Sequence, residues 1–398
     1  MWLSQLALVN FRNLRRLRLE PQPGVLLFYG RNGQGKTNLL ESIYVLATTR
    51  SPRTSVEREL LSWQADEDLD LAAVITPFAR LEGRVRRLEG EVHLEVSFET
   101  QRNSDSDSAS PPVGRSIKVN GLLQRAAGLV GQPPVVYFSP DDVALASGSP
   151  AGRRQYLNLA NSQASGTHLR ALQRYNRVLL QRNQVLRQVR ERRQPASALE
   201  PWTEQMVQYG SQVLHQRLEM LARVDERAAA IFPELSGLPD QLSIRYRATA
   251  CDAGETTQPE ELESSFRERQ QRVAAREIEQ AVSLIGPHRD DFSFHLDGVD
   301  LNVYGSRGQQ RLAVLALKLA EADWMRAEVG ELPVVLLDDV LSELDPERRR
   351  YVLQRVAAPE PSNQRQVWIT STDDTDLSEP LVAAAQRFQI DAGRVRPA

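Results

Sequence analysis

Cysteine is almost missing from this chain. The single Cys251 excludes an intrachain disulfide, and one cysteine with five scattered histidines cannot furnish a structural zinc site. No apolar run approaches the roughly 18 residues of a membrane span. The opening Met1-Trp-Leu-Ser-Gln-Leu-Ala-Leu-Val lacks the basic leader of a secretory signal, so a cytoplasmic protein with no membrane association is expected. Lysine is scarce too: Lys36, Lys118 and Lys318 are the only ones, and arginine supplies nearly all the positive charge. The net charge of −3 gives no overall attraction to nucleic acid, so any such binding needs a local basic patch. What the chain does have is length, 398 residues, and 41% hydrophobic content, enough for two or three domain-sized units with real cores.

The chain is organised around residues 24 to 42. An apolar, β-rich run from Gly24 to Tyr29 leads into Gly30-Arg31-Asn32-Gly33-Gln34-Gly35-Lys36-Thr37, which fits G-x-x-x-x-G-K-[ST]; Leu39, Leu40 and Ile43 then continue at helical spacing. The glycines let successive backbone N–H groups curl around phosphate oxygens, and the helix start adds its positive dipole end. Lys36 is expected to reach the β- and γ-phosphates and Thr37 to ligate Mg²⁺. A glycine turn with no ligand is the alternative, and the strand-loop-helix context disfavours it.

Before this loop, Leu6, Leu8, Phe11, Leu17 and Leu19 alternate with polar residues about Asn10-Phe-Arg-Asn13, which predicts a β-hairpin. Arg12 is placed there either to reach nucleotide or as a solvated turn arginine. After the loop helix, strand-like stretches at 69–76, 80–88 and 91–99 suggest a flanking antiparallel sheet. Residues 101–114 are polar and of low complexity, and read as a mobile loop. Ile117 to Gly121 reads as a strand and turn, and Pro133 to Phe138 as a buried strand. From Pro150 to about Gln280 the pattern is helical. Leu172, Tyr175, Leu179, Leu186 and Val189 form one stripe, and Trp202, Met206, Tyr209, Val213, Met220 and Val224 form a second after a proline-bounded break, predicting an antiparallel helical arm. The first helix carries Arg170, Arg174, Arg177, Arg182, Arg187, Arg190, Arg192 and Arg193, as a solvated face or a DNA contact.

Farther on, Tyr304-Gly-Ser306-Arg-Gly308-Gln309-Gln-Arg311 runs directly into a helix from Leu312 to Glu328, which makes either a second phosphate-binding terminus, with the Ser306 hydroxyl as donor, or a plain helix cap. Val334-Val-Leu-Leu-Asp338-Asp339 is an apolar strand running into paired carboxylates at a sheet edge. Asp338 is expected to hold Mg²⁺ and Asp339 to orient an attacking water, unless the pair merely caps a turn.

Taken together these stretches resemble the ABC-type ATPase heads of DNA-repair and chromosome-maintenance proteins. Gly30 to Thr37 resembles Walker A, Ser306 to Gln310 the signature, Val334 to Asp339 Walker B and Ser342 to Asp345 the D-loop. Within that superfamily the chain is most similar to the RecF family, through Asn10–Asn13, Gly33–Glu41, Ser139–Asp142, Tyr175–Val178, Gly286–Asp291, Tyr304–Arg311 and Leu336–Asp345. The resemblance implies an α/β ABC-type head, a mixed sheet with a flanking antiparallel sheet, assembled from residues 1–140 and 285–398 around an inserted helical arm, 141–284. It implies Gly30 to Thr37, Arg12, Ser306, Gly308 and Gln309 as nucleotide contacts, Thr37 and Asp338 as metal ligands, and Lys36 and Asp339 as the hydrolytic pair of a slow ATPase. It further implies ATP with Mg²⁺, a homodimer enclosing two ATP molecules, and action on DNA with RecO and RecR to place RecA at gaps. Arg307 stands where that pattern usually has glutamine, and Asp339 where the wider superfamily has glutamate. A transporter ATPase subunit and a long-coiled-coil chromosome scaffold are the competing readings; the first calls for an LSGGQ-type signature, the second for hundreds of heptad residues.

Overall fold

A computed structural model describes residues 1–62, 77–100, 112–252, 258–358, 365–372 and 384–398. The expected strand at 69–76 and most of the expected mobile loop at 101–114 lie outside the described residues. By packing, the chain falls into two compact units: Met1–Pro140 with Met325–Ala398, and Asp141–Trp324.

In the first unit, β1 (Trp2–Phe11) and β2 (Leu14–Leu19) form the N-terminal hairpin, with Leu6 opposite Leu19 and Leu8 opposite Leu17. The period-two alternation puts these leucines on one buried face. β4 (Phe78–Arg87), β5 (Gly90–Thr100), β6 (Val113–Val119) and β7 (Leu122–Leu123) complete an antiparallel sheet of order β2-β1-β4-β5-β6-β7. The second sheet has the order β15-β14-β3-β13-β12-β8, from β3 (Gly24–Tyr29), β8 (Val135–Phe138), β12 (Val334–Asp338), β13 (Gln366–Ser371), β14 (Gln386–Asp391) and β15 (Arg394–Pro397). Every pairing is parallel except β14 with β15. Its strands read as continuous apolar runs, as strands covered on both faces must. Helix α1 (Lys36–Thr48) joins the two sheets in one core. Leu39, Leu40, Ile43 and Leu46 pack among Leu81, Leu94 and Phe98 of the antiparallel sheet and Phe28, Leu336 and Trp368 of the parallel one. The Phe28 ring stacks on Trp368 at 5.1 Å and on Phe388 at 4.9 Å. Such enclosure explains why α1 is buried nearly all round and lacks a polar stripe.

The second unit contains α2 (Pro150–Ala164), α3 (Gly166–Arg190), α4 (Glu200–Ser236) and α5 (Pro259–Gln280). His168 meets Gln216 at 3.0 Å, Arg174 lies over Tyr209, and Arg182 meets Thr203 at 3.1 Å. Partners that descend along α4 as α3 ascends make the pair antiparallel, as the two stripes predict. Two features differ from the sequence reading. β9 (Leu242–Arg247) interrupts the helical stretch and pairs antiparallel with β10 (Asp291–Leu296), which carries a short β11 (Val299–Asp300) on its other side. That pairing ties the chain after Ile285 to the helical unit, and the boundary between the units falls inside α6 (Arg307–Val329) rather than at 284/285. A bidentate Arg153–Asp291 pair, with Arg247 also on Asp291, fixes β10 to α2 and β9.

Candidate nucleotide site

β3 delivers the glycine loop to the mouth of the parallel sheet, and α1 begins at Lys36. Gly33 and Gly35 have φ of 80° and 112°, left-handed values that suit glycine. At Gly35 a Cβ would stand 2.7 Å from the Asn13 side chain, so only glycine lets the hairpin turn close on the loop. Asn13 donates to the Gln34 carbonyl at 3.1 Å and accepts from Asn38 at 2.8 Å, bracing the loop against α1. The Lys36 ammonium donates to the Gly30 and Arg31 carbonyls at 2.5 and 3.1 Å and is 7% exposed. Burial lowers its pKa, while Asp339 and Asp338 pull it back up. The loop is thus shaped with its cation stored inside.

Opposite stands Asp338 at the end of β12. Thr37 Oγ1 and Thr370 Oγ1 donate to its Oδ1 at 3.0 and 2.9 Å, and Tyr137 donates to its Oδ2 at 2.8 Å. Burial raises the Asp338 pKa; the Tyr137, Thr370 and Thr37 hydroxyls oppose that, and Asp339 adds to it. Asp339 follows with φ of 54°, its N–H donating to Thr370 Oγ1 at 2.9 Å. Its Oδ1 is buried with no hydrogen-bond partner. A left-handed non-glycine backbone and an orphaned buried carboxylate oxygen both carry a free-energy cost, and together they mark a place built for a ligand.

At the start of α6, Gln309 N–H donates to Ser306 Oγ at 3.2 Å and Ser306 N–H to Gln309 Oε1 at 2.9 Å, a reciprocal capping box. The helix cap is therefore real. Gly308, however, has no positive φ, and a Cβ there would meet only Ser306 Oγ at 3.9 Å. Nothing in its own fold requires glycine, which leaves an exposed terminus that another backbone or a phosphate can approach closely. Ser306, Gly308 and Gln309 belong to the second compact unit and the Lys36 loop to the first.

The sequence profile of the RecF/RecN/SMC N terminal domain matches residues 2–386. The chain is 42% identical over 402 residues to the DNA replication and repair protein RecF of Herpetosiphon aurantiacus, with both chains covered completely. The chain belongs to the RecF family. It is also 34% identical to RecF of Bacillus velezensis over 99% of each chain. Among solved structures it matches the recombination mediator protein RecF-ATP in the RecFOR pathway with a TM-score of 0.84 at 30% identity, covering 100% of this chain and 97% of that one. An Smc head bound to the C-winged helix domain of ScpA, at TM-score 0.53 and 12% identity, shares the fold. The ABC-type head expected from the sequence is thus the observed one.

In this RecF-family chain the cradle brings together Gly30 to Thr37, Asp338 and Asp339. Arg12 is not a solvated turn arginine: its guanidinium makes a bidentate pair with the fully buried Glu41 at 2.8 and 3.1 Å, beside Ser51 and Arg53, which contact the same carboxylate. Arg182 is a further correction. It is 1% exposed and paired with Glu277 at 2.6 Å, filling an apolar-stripe position among Tyr175, Val178 and Leu186, so it cannot belong to a solvated arginine face. The sequence assigns Tyr137 and Thr370 no role in the site. Each lies on a strand beside β12, and only their register, Tyr137 opposite Leu336 and Thr370 opposite Asp338, reveals the link.

Proposed function

We propose that this protein is an ATP-dependent DNA-binding protein of recombinational repair and replication. It binds ATP with Mg²⁺ in the Lys36 cradle, closes into a homodimer around two ATP molecules, hydrolyses slowly, and acts with RecO and RecR to place RecA on single-stranded or gapped DNA. The observation that carries the nucleotide part is the pairing of a preformed glycine cradle with a carboxylate whose Oδ1 is buried and unpartnered. The backbone N–H groups of a glycine loop at a helix start, with Lys36 beside them, suit a polyphosphate. Thr37 and Asp338, already 3.0 Å apart, are the residues that would hold Mg²⁺, which supplies charge neutralisation between the phosphates when bound. Among the described residues no group of three or more His, Cys, Asp or Glu forms a metal cage. Asp339 is the candidate to orient water, with its free Oδ1 as acceptor. Support for the repair role comes from the family: its RecF relatives are DNA replication and repair proteins, and the solved RecF structure carries ATP in the RecFOR pathway.

The test is a binding titration of the purified protein with single-stranded, duplex and gapped DNA, with and without ATP. ATP-strengthened binding to at least one substrate is expected. No binding under either condition overturns the reading.

A further inference from the structure

The arginines of the antiparallel sheet are mostly neutralised. Arg80 pairs with Glu82 and Glu95, Arg84 and Arg86 with Glu91, and Arg87 with Glu331. One cluster is not. A cleft of about 410 Å³ lies between the turn of the β1–β2 hairpin and the β14–β15 hairpin, lined by Asn13, Arg15, Arg16, Asp391, Arg394 and Arg396. β2 turns its leucines inward and leaves Arg15 and Arg16 exposed, while Arg394 and Arg396, two residues apart on β15, share one face. Arg16, Arg394 and Arg396 have no carboxylate partner among the described residues. Three exposed arginines without a carboxylate partner, beside Arg15 and Asp391, line one cleft on a chain whose net charge is −3.

The cleft is also tied to the nucleotide loop. Gly393 N–H donates to the Gln34 carbonyl at 2.9 Å, Ala392 N–H donates to Gln34 Oε1 at 2.5 Å, and Asn13 donates to the same carbonyl at 3.1 Å. Gly393 has φ of 75°, and a Cβ there would strike the Asn13 carbonyl at 2.1 Å, so the hairpin tip fits against Asn13 only as glycine. Both walls of the cleft therefore hydrogen-bond one residue of the glycine loop. Guanidinium forks match phosphate oxygens bidentately, and exposed arginines without a carboxylate partner, here Arg16, Arg394 and Arg396, are a usual footprint of a nucleic-acid backbone.

We infer that this arginine cleft binds backbone phosphates of DNA, and that the Gln34 bonds make DNA binding there and nucleotide binding in the loop energetically dependent on one another. The inference rests on the DNA-binding reading above and adds the surface that carries it. It places the contact on the ATPase unit, not on the arginine-bearing helix α3.

The test compares Arg16→Glu/Arg396→Glu with wild type by fluorescence anisotropy on a labelled single strand and a labelled duplex across a salt series, and measures ATP affinity of both by calorimetry. Arg16→Ala/Arg396→Ala, with a thermal melt, guards against misfolding. The variants are expected to melt and to bind ATP alone as wild type does, to lose at least tenfold in DNA affinity at low salt, and to show a duplex salt slope smaller by about 1.8, that is about 0.9 for each phosphate contact removed. With saturating DNA, wild type is expected to bind ATP more tightly and the variants to show no such gain. Unchanged DNA affinity and slope in variants of a DNA-binding wild type would overturn the cleft and leave the repair reading standing. Lost ATP affinity with intact DNA binding would assign the cleft to the nucleotide and also overturn it. A wild type that binds no DNA would overturn both.

Discussion

Lys36 already has two carbonyl partners, so substituting it does more than remove a charge. Lys36→Met deletes charge-assisted contacts worth roughly 1.5–3 kcal/mol each to phosphate and leaves the Gly30 and Arg31 carbonyls without their donor. ATP affinity is expected to fall at least about tenfold, as read by calorimetry; an unchanged affinity would remove the loop from the site. The two aspartates should separate. Asp338 accepts three hydroxyl hydrogen bonds, whereas Asp339 keeps a free Oδ1. Asp339→Asn is expected to retain ATP binding and nearly abolish hydrolysis, measured as phosphate release per dimer, while wild-type turnover in this variant would shift the hydrolytic role to another group.

At the scale of elements, the helical unit is held by a buried polar junction between α3, α4, α5 and the Gly286–Asp291 turn. Tyr175 OH meets His288 Nδ1 at 2.6 Å and His288 Nε2 meets the Ser283 carbonyl at 3.1 Å. A carbonyl only accepts, so Nε2 carries the proton and Nδ1 accepts from Tyr175. Burial, with the Arg289, Arg154 and Arg182 charges, lowers the His288 pKa from 6.5 to about 4, against the bond to Ser283. A histidine whose folded pKa is depressed contributes stability that is complete above its unfolded value and declines as pH falls. Denaturant unfolding of wild type is therefore expected to lose stability between about pH 6.5 and 4, and His288→Gln to show a shallower loss over that window. Equal pH slopes would mean that His288 stays neutral for another reason, or not at all. The same junction shows why part of this unit was hidden in the sequence. A stripe that reads as apolar by spacing holds Arg182, because Glu277, distant in sequence, supplies its counter-charge. β9 is missed from the sequence although Leu242, Ile244 and Tyr246 alternate with polar residues, because the strong helical periodicity on either side masks it.

At the scale of the whole chain, what was legible was contiguous. Gly30 to Thr37 and Val334 to Asp339 each carry strand, bend and chemistry within a few residues, so the head and its cradle could be read directly. Tyr137, Thr370 and the Asp391–Arg394 turn belong to the site only because the sheet order brings β8, β13 and β14 beside β12 and β3; no local pattern records that order. In the proposed dimer ATP would link two surfaces of unlike origin: the cradle, built from both ends of the chain, and the exposed Ser306–Gln309 terminus of the other compact unit. In a head-to-head dimer the terminus of one protomer would meet the phosphates held by its partner. Ser306→Arg leaves the cradle untouched and places a bulky side chain at that terminus. The most direct measurement is the mass of the protein in solution by sedimentation or light scattering, with and without ATP. Wild type is expected to pass from monomer to dimer on adding ATP, and Ser306→Arg to bind ATP with wild-type affinity yet stay monomeric. A Ser306→Arg protein that dimerises with ATP as wild type does would reduce the capping box at Ser306 to a helix cap and contradict the account.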